Sequence, residues 1–316
     1  MKALQPGDVL DHYRIDELAA SGGMASVYKA TDLRTGSPVA IKVPHPEAEC
    51  DPVFFDRFQR EAQIGRELDH PGVVKVLPKE GQSRVYMAME WVEGRLLRQI
   101  LHQETTIAPD RAVRIALAIC DAVEYIHAHG VIHRDLKPEN VMIGEDDQIK
   151  LLDFGIAGKT GARRLTFGKL SSTLGTVDYI SPEQVKGKRG DARSDIYSLG
   201  VMLYEMVSGQ SPFLAANPFA AMNARLVSEA IPVRQLNPSV SVELEAIIAR
   251  AMRRDPAERY PNARELAFDL THPAQMKPAE FLVEPQPRSR KLLFYSALAA
   301  IPGSILGLLL YVAGHQ

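Results

Sequence analysis

The sequence predicts an α+β chain in two lobes: a small antiparallel β-sheet lobe with one main helix at residues 1–93, then a larger α-helical lobe at 94–275. A juxtamembrane linker at 276–291 and one transmembrane helix at 292–313 are expected to follow. Three observations predict this. Up to residue 93, short β-branched runs alternate with turn signals; from Ala108 onward the apolar period is helical; and a 22-residue stretch near the C-terminus has no charged side chain.

"YRIDEL", "SVYKATD", "PVAIKVP" and "RVYMAMEWV" read as strands, with "TGSP" at 35–38 as the hairpin turn between the second and third. In "DPVFFDRFQREAQIGREL", 51–68, Phe54, Phe58, Ala62, Ile64 and Leu68 fall near helical spacing, so one helix should pack on that sheet. "PDRAVRIALAICDAVEYIHAHG" has a Pro-Asp start, a long apolar stripe and a Gly stop, and it opens the helical lobe. "DARSDIYSLGVMLYEMVSG", "SVELEAIIARAMRRD" and "NARELAFDL" supply its later helices, and Pro278, Pro285 and Pro287 mark a stretched linker. There is no internal repeat.

Leu292 to Ala313, "LLFYSALAAIPGSILGLLLYVA", is 22 residues long, and at about 1.5 Å per residue such a helix spans the roughly 30 Å hydrocarbon core of a bilayer. A buried core helix would carry a polar face, and this segment has only Ser296 and Ser304. Arg288, Arg290 and Lys291 precede it and Gly-His-Gln follows, so the positive-inside rule keeps the preceding lobes in the cytoplasm, a single-pass tail anchor in the cell membrane. The start, "MKALQPGDVLDHY", lacks the apolar core of a signal peptide. Only three residues follow the span, so regulatory input is expected from the cytoplasm or the bilayer rather than from an outer sensor domain. Ala299, Gly303 and Gly307 recur every four residues, a small-residue face on which two such helices could meet as a homodimer.

The 316 residues suffice for a well-buried core without staples. With 37 basic and 39 acidic side chains, the near balance argues against a nucleic-acid partner. Cys50 and Cys120, 70 positions apart, read as thiols of a reducing compartment without an assigned role.

The chemistry concentrates in "VIHRDLKPENVMI", 131–143, where four residues separate Asp135 from Asn140, and in "LLDFG", where Asp153 stands 13 positions beyond Asn140. These three can share one metal–nucleotide site. Phosphoryl transfer asks a protein for little covalent work: it must place the donor, offset charge through Mg²⁺, and set the acceptor hydroxyl beside a carboxylate. Taken singly, each such lysine or aspartate is most simply a solvated side chain, a cap or a turn residue. Their joint order reverses that reading.

In that order the chain resembles the protein kinases, and more narrowly the bacterial Hanks-type (eukaryotic-like) serine/threonine kinases, over about residues 13–270. Nine elements carry the resemblance: "SGGMASVY", V-A-I-K at 39–42, "RFQREA" at 57–62, "HPGVV" at 70–74, H-R-D-L-K-P-E-N at 133–140, D-F-G at 153–155, "GTVDYISPE" at 175–183, "SDIYSLG" at 194–200 and "RDPAERY" at 254–260.

The resemblance implies a role for each matching residue. Lys42 reaches the α- and β-phosphates of ATP and pairs with Glu61. Asp153 ligates Mg²⁺, with Mn²⁺ as a possible substitute, and Asn140 takes the second metal position. Asp135 orients or deprotonates the acceptor hydroxyl, and Lys137, typical of serine/threonine enzymes, offsets charge on the transferred phosphate. Thr176 holds that loop. Asp195 braces the catalytic loop, while Glu183 and Arg259 form a buried ion pair. Adenine lies at the hinge, bonded by the backbone of Glu90, Trp91 and Val92, with Met89 as gatekeeper and Val27 and Ala40 in the same nucleotide-binding set. Thr166, Ser171, Ser172 and Thr173 lie among Lys159, Arg163, Arg164 and Lys169, so autophosphorylation is expected there, the phosphate being read by Arg134.

One departure from the pattern falls in the flap. Where the family reads G-x-G-x-x-G, this chain reads Ala20-Ser21-Gly22-Gly23-Met24-Ala25. Alanine at the outer sites is expected to disfavour positive φ by about 1 kcal/mol each and so to loosen nucleotide binding by about tenfold per site at most. Two rival readings follow. One is a membrane-tethered pseudokinase scaffold; the other is a small-molecule phosphotransferase, against which the "GTVDYISPE" segment argues.

Overall fold

The computed structural model describes residues 3–78, 81–153, 178–213 and 215–282. Five strands form the first sheet in simple sequence order: β1 (Val9–Leu10), β2 (Tyr13–Ser21), β3 (Ala25–Asp32), β4 (Pro38–Pro44) and β5 (Met87–Glu90), each antiparallel to the next. The period-2 alternation expected of a half-buried strand is clear in β3, where Ser26, Tyr28, Ala30 and Asp32 are buried and the residues between them are not. Tyr28 and Ala30 join Tyr13, Ile15, Val39, Ile41, Val43, Tyr86 and Ala88 in the core of this lobe.

Between β4 and β5 lie a short helix, α1 (Pro46–Glu49), and the expected main helix, α2 (Pro52–Glu67). Asp51 caps α2, its carboxylate accepting from Val53 N at 3.0 Å, and Pro52 takes the first turn, where no backbone donor is needed. Phe58, Glu61, Ala62, Ile64 and Gly65 form its buried stripe.

The second lobe opens with β6 (Arg95–Leu96), α3 (Leu97–Glu104) and α4 (Pro109–Ala128), and β6 pairs with β7 (Val141–Ile143) and then β8 (Ile149–Leu151) in a small antiparallel sheet. The helices α5 (Pro182–Val185), α6 (Ala192–Ser208), α7 (Pro218–Val227), α8 (Val233–Leu236), α9 (Val242–Ala251) and α10 (Ala263–Thr271) complete it. The helix α6 is buried almost all round, from Ser194 to Val207, as expected for a helix at the centre of a lobe rather than on its surface. It ends at Gly209, whose φ of 76° is the left-handed cap conformation that glycine adopts without strain. Asp191, Asn217, Ser241 and Asn262 cap α6, α7, α9 and α10 through their side chains.

The chain divides into Met1–Phe281 and Leu282–Gln316. Within the first unit the packed chain runs on through buried Met276 to Phe281, whose ring faces the Arg250 guanidinium. The expected membrane span at 292–313 lies outside the described residues. Among the described residues no helix is long and apolar enough to cross a membrane.

Candidate active site

The site is assembled from β4, α2 and the two segments that flank β7 and β8. Lys42 on β4 points its ammonium between two carboxylates, 2.8 Å from Glu61 Oε1 and 2.5 Å from Asp153 Oδ1. Glu61 arrives from the buried stripe of α2. Burial pulls the Lys42 ammonium toward losing its proton, but the charges of Asp153 and Glu61 outweigh this and hold it above the ordinary lysine range. Burial, and then the charge of Asp153, push the Glu61 carboxyl well up against the pull of Lys42. For Asp153 burial also works upward, yet Lys42 prevails and keeps it ionised, below the usual range.

The catalytic-loop segment 133–140 is pinned from beneath. Asp195, fully buried on α6, accepts from His133 N at 2.9 Å and Arg134 N at 2.7 Å, and its Oδ2 also meets His127 Nε2 at 2.8 Å. Arg134 has φ 65°, a conformation costing a non-glycine residue about 1–2 kcal/mol; the two Asp195 contacts and the Gln184 amide, which donates to Arg134 O at 3.1 Å, hold it there. This bend sets Asp135 toward the cleft. Lys137 Nζ is 2.8 Å from Asp135 Oδ2, and Asn140 Nδ2 donates to Asp135 O at 2.8 Å. Burial raises the Asp135 carboxyl above its usual range, with Lys137 opposing. Leu152 N donates to Asn140 O at 3.0 Å, so Asp153 follows directly on the residue tied to Asn140.

The flap is the β2–β3 hairpin. Ala20 pairs with Val27 and Ser21 with Ser26, while Ala25 pairs with Pro44 of β4, and Gly22 N donates to Ala25 O at 2.9 Å. Neither Ala20 nor Ala25 has positive φ. The strain expected of alanine at those places is therefore absent, because both residues lie in extended strands; only the added methyls remain. Gly22 and Gly23 are likewise not at positive φ. The flap is further tied by Ser21 Oγ to Ser26 Oγ at 3.2 Å and Ser26 Oγ to His45 Nε2 at 2.9 Å, contacts with no signature in the sequence.

Met89 is buried, and Ala40 lies directly opposite it across β4 and β5. The Glu90 carboxylate accepts from Lys75 N at 2.9 Å and Lys150 Nζ at 2.5 Å, so its side chain ties the hinge to β8. Beyond Val92, which is half-buried, the chain enters the helical lobe at Gly94. Its φ is 149°, and a Cβ there would lie 2.3 Å from Ile143 O.

Glu183 and Arg259 pair as expected, and Ser194 Oγ also donates to Glu183 at 2.6 Å. Sequence reasoning missed Arg98, which reaches Glu139 and Glu205 at 2.8 Å each and touches the Tyr179 hydroxyl; a lone arginine opening a short helix gives no signal. Thr166, Ser171, Ser172, Thr173 and Thr176 lie outside the described residues.

Two lobes with one ammonium and a group of oxygen-bearing side chains meeting between them are the arrangement of the kinase class. The chain belongs to the protein kinase domain family, which it matches over residues 13–269. It is 38% identical over 271 residues to serine/threonine-protein kinase PknB of Mycolicibacterium smegmatis, covering 84% of this chain and 43% of that protein. It is 37% identical over 271 residues to a probable serine/threonine-protein kinase, SCO3848, of Streptomyces coelicolor, covering 84% and 40%. Among solved structures, the PknI kinase domain of Mycobacterium tuberculosis is similar with a TM-score of 0.66 at 25% identity, covering 86% of this chain and 100% of that one. The chain thus spans less than half the length of these curated relatives.

Proposed function

We propose that this chain is an ATP-dependent protein-serine/threonine kinase. The observation that carries the reading is the joint placement of Lys42, Glu61, Asp135, Asn140 and Asp153 around one cleft. The donor set fits a magnesium-bound nucleotide. Asp153 offers a carboxylate, and Asn140, whose Nδ2 is engaged by Asp135, keeps its amide oxygen for a cation. Two hard oxygen ligands from protein, the rest from phosphate and water, suit Mg²⁺, which when bound offsets the charge of the phosphates.

The chain's own residues do the remaining work. Lys42 binds and orients the α- and β-phosphates, aimed by Glu61. Asp135 accepts the hydroxyl proton of a substrate serine or threonine as the new oxygen–phosphorus bond forms and the bond from the γ-phosphorus to the β–γ bridging oxygen breaks, releasing ADP. The raised pKa of Asp135 makes it a better proton acceptor than an ordinary aspartate. Lys137 offsets charge on the moving phosphoryl group. Ala20, Ser21, Gly22, Gly23, Val27 and Ala40 cover the nucleotide, and Met89, Glu90 and Val92 border the adenine.

The same reading extends to the residues outside the described structure. Thr166, Ser171, Ser172 and Thr173 are autophosphorylation candidates, and Thr176 steadies that loop. The linker to residue 291 carries a membrane span at 292–313 that keeps the kinase lobes cytoplasmic. The deciding experiment incubates the protein with γ-labelled ATP, Mg²⁺ and a generic protein substrate beside Asp135→Asn and Lys42→Met. Label on serine or threonine that vanishes in both variants is expected. Equal labelling by Asp135→Asn would overturn the proposal.

A further inference from the structure

The cleft face of the first sheet presents two rows of side chains. Val27 pairs with Lys42 and Lys42 with Met87, while Lys29 pairs with Ala40 and Ala40 with Met89. Directly opposed residues on antiparallel strands project to one face, so each set of three forms a row. Lys42 is the cation of the first row, used at the phosphates. The second row holds Ala40 and Met89, both assigned to the adenine, and it too carries a cation, Lys29, for which the function proposed above has no use.

Lys29 is turned toward the hinge rather than outward. Its Nζ lies 4.7 Å from the centroid of the Trp91 ring and 3.8 Å from Glu93 Oε1. The indole closes the triangle, since Trp91 Nε1 donates to the same Glu93 oxygen at 2.7 Å. Trp91 sits in the chain between Glu90 and Val92, the two residues that border the adenine in the reading above, and it is the only tryptophan of the protein.

We infer that Lys29, Trp91 and Glu93 form a clasp at the hinge-side mouth of the nucleotide cleft, and that Lys29 is a positioning residue for the nucleotide, acting through Trp91. The inference rests on the reading that ATP occupies this cleft. The Glu93 side chain is 81% exposed, so its ion pair with Lys29 contributes little on its own. The ammonium over the indole face, half-shielded by the strand, is the stronger contact. It ties β3 to the hinge while β4 and β5, between them, carry Ala40 and Met89. Without the clasp β3 is free to lift from the hinge, and the row above the adenine shifts with it. The reacting end of the nucleotide, at Lys42 and Asp153, is served by the other row.

The test uses the full chain. ADP with Mg²⁺ is titrated while Trp91 emission is followed, binding is measured separately by calorimetry, and steady-state rates are taken with ATP varied. ADP is expected to change Trp91 emission. Lys29→Met should raise KM for ATP about three- to fivefold with kcat within about twofold of the parent. Lys29→Arg should keep the parental KM, because a guanidinium also stacks on indole. Trp91→Leu should match Lys29→Met, and the double variant should be no worse than either, as required of residues acting through one contact.

A folded Lys29→Met protein with the parental KM would remove the clasp and leave the kinase reading intact. So would calorimetric ADP binding that leaves Trp91 emission unchanged, a result obtainable on the parent protein even if a variant does not fold. Parent protein that binds no ADP at all would remove the kinase reading and the clasp with it.

Discussion

Glu183 receives both arms of the Arg259 guanidinium across 76 residues of chain, Nη1 to Oε1 at 2.9 Å and Nη2 to Oε2 at 2.7 Å. The same guanidinium donates to three backbone carbonyls, those of Arg253, Arg193 and Arg254. Its side chain is fully buried. Arg259→Met should therefore cost about 3 to 5 kcal/mol of stability, because Glu183 is left as an uncompensated charge. Glu183→Gln/Arg259→Met should recover part of that loss. Urea unfolding of the parent, Glu183→Gln, Arg259→Met and the double variant decides it, and additive losses would show that the pair is not the cause.

Lys42 places a positive charge between the Glu61 and Asp153 carboxylates. Lys42→Met should abolish measurable phosphate transfer and leave Glu61 and Asp153 facing each other. In the parent, Asp153 titrates below its usual value and contributes stability that is present above about pH 4 and lost as pH falls through its depressed pKa. In the variant the two acids hold a proton more readily than in the unfolded chain. The variant's stability deficit should thus be largest at neutral pH and shrink as pH falls toward about 5. Thermal midpoints across that range check this, and a deficit independent of pH would refute it.

Asp135 is raised by burial and restrained by Lys137. The acid limb of kcat/KM should accordingly lie above the ordinary aspartate range, with activity rising as the carboxyl loses its proton. Lys137→Met removes the restraining charge, so the limb should move to higher pH. Asp135→Asn should lower kcat by about 10²- to 10⁴-fold without lowering the thermal midpoint, since it removes a charge that burial disfavours. An acid limb that Lys137→Met leaves in place would refute the assignment.

Gly65 lies one helical turn beyond Glu61, and a Cβ there would come within 2.3 Å of Val76 Cγ2. Alanine ordinarily improves a helix by about 0.5–1 kcal/mol over glycine, but overpacking costs about 1–3 kcal/mol and should win. Gly65→Ala is expected to lower stability and, by pushing α2 outward, to lower kcat through Glu61. Val76→Ala added to it should restore both. Kinetics and melting of the single and double variants test the point.

Asp195 accepts two backbone donors and meets His127, and those contacts hold it ionised against burial. Its share of stability is present above the ordinary aspartate pKa and lost as pH falls through the depressed one. His133 is held neutral by burial, and that stabilising share is lost as pH falls below about 6.5. Asp195→Asn should release the His133 and Arg134 amides to hydrogen exchange and flatten the acid side of the stability curve. Unchanged protection of both amides would count against the brace.

Much of the fold was legible in the sequence because local physics wrote it there. The β3 alternation, the apolar stripe of α2, the Pro-Asp opening of α4 and the glycine ending α6 all act through neighbours a few residues apart. The helices α3 and α7 were not legible, since their apolar residues are few and their packing partners distant. The small sheet of β6, β7 and β8 was missed for a related reason: strands two or three residues long show no period.

By itself the sequence determined which residue types are available for phosphate chemistry and in what order, and it set the periodicity that folds each helix and strand. Only the tertiary structure decided that the alanines of the flap lie in unstrained strands, and that Lys42 stands between Glu61 and Asp153. It also decided that a buried aspartate holds Arg134 at positive φ, and that Lys29 meets the lone tryptophan. Those outcomes depend on contacts between residues from 7 to 111 positions apart in the chain. The energy of such contacts is realised only when the packed core brings the partners within a few ångströms and excludes the water that would otherwise screen them.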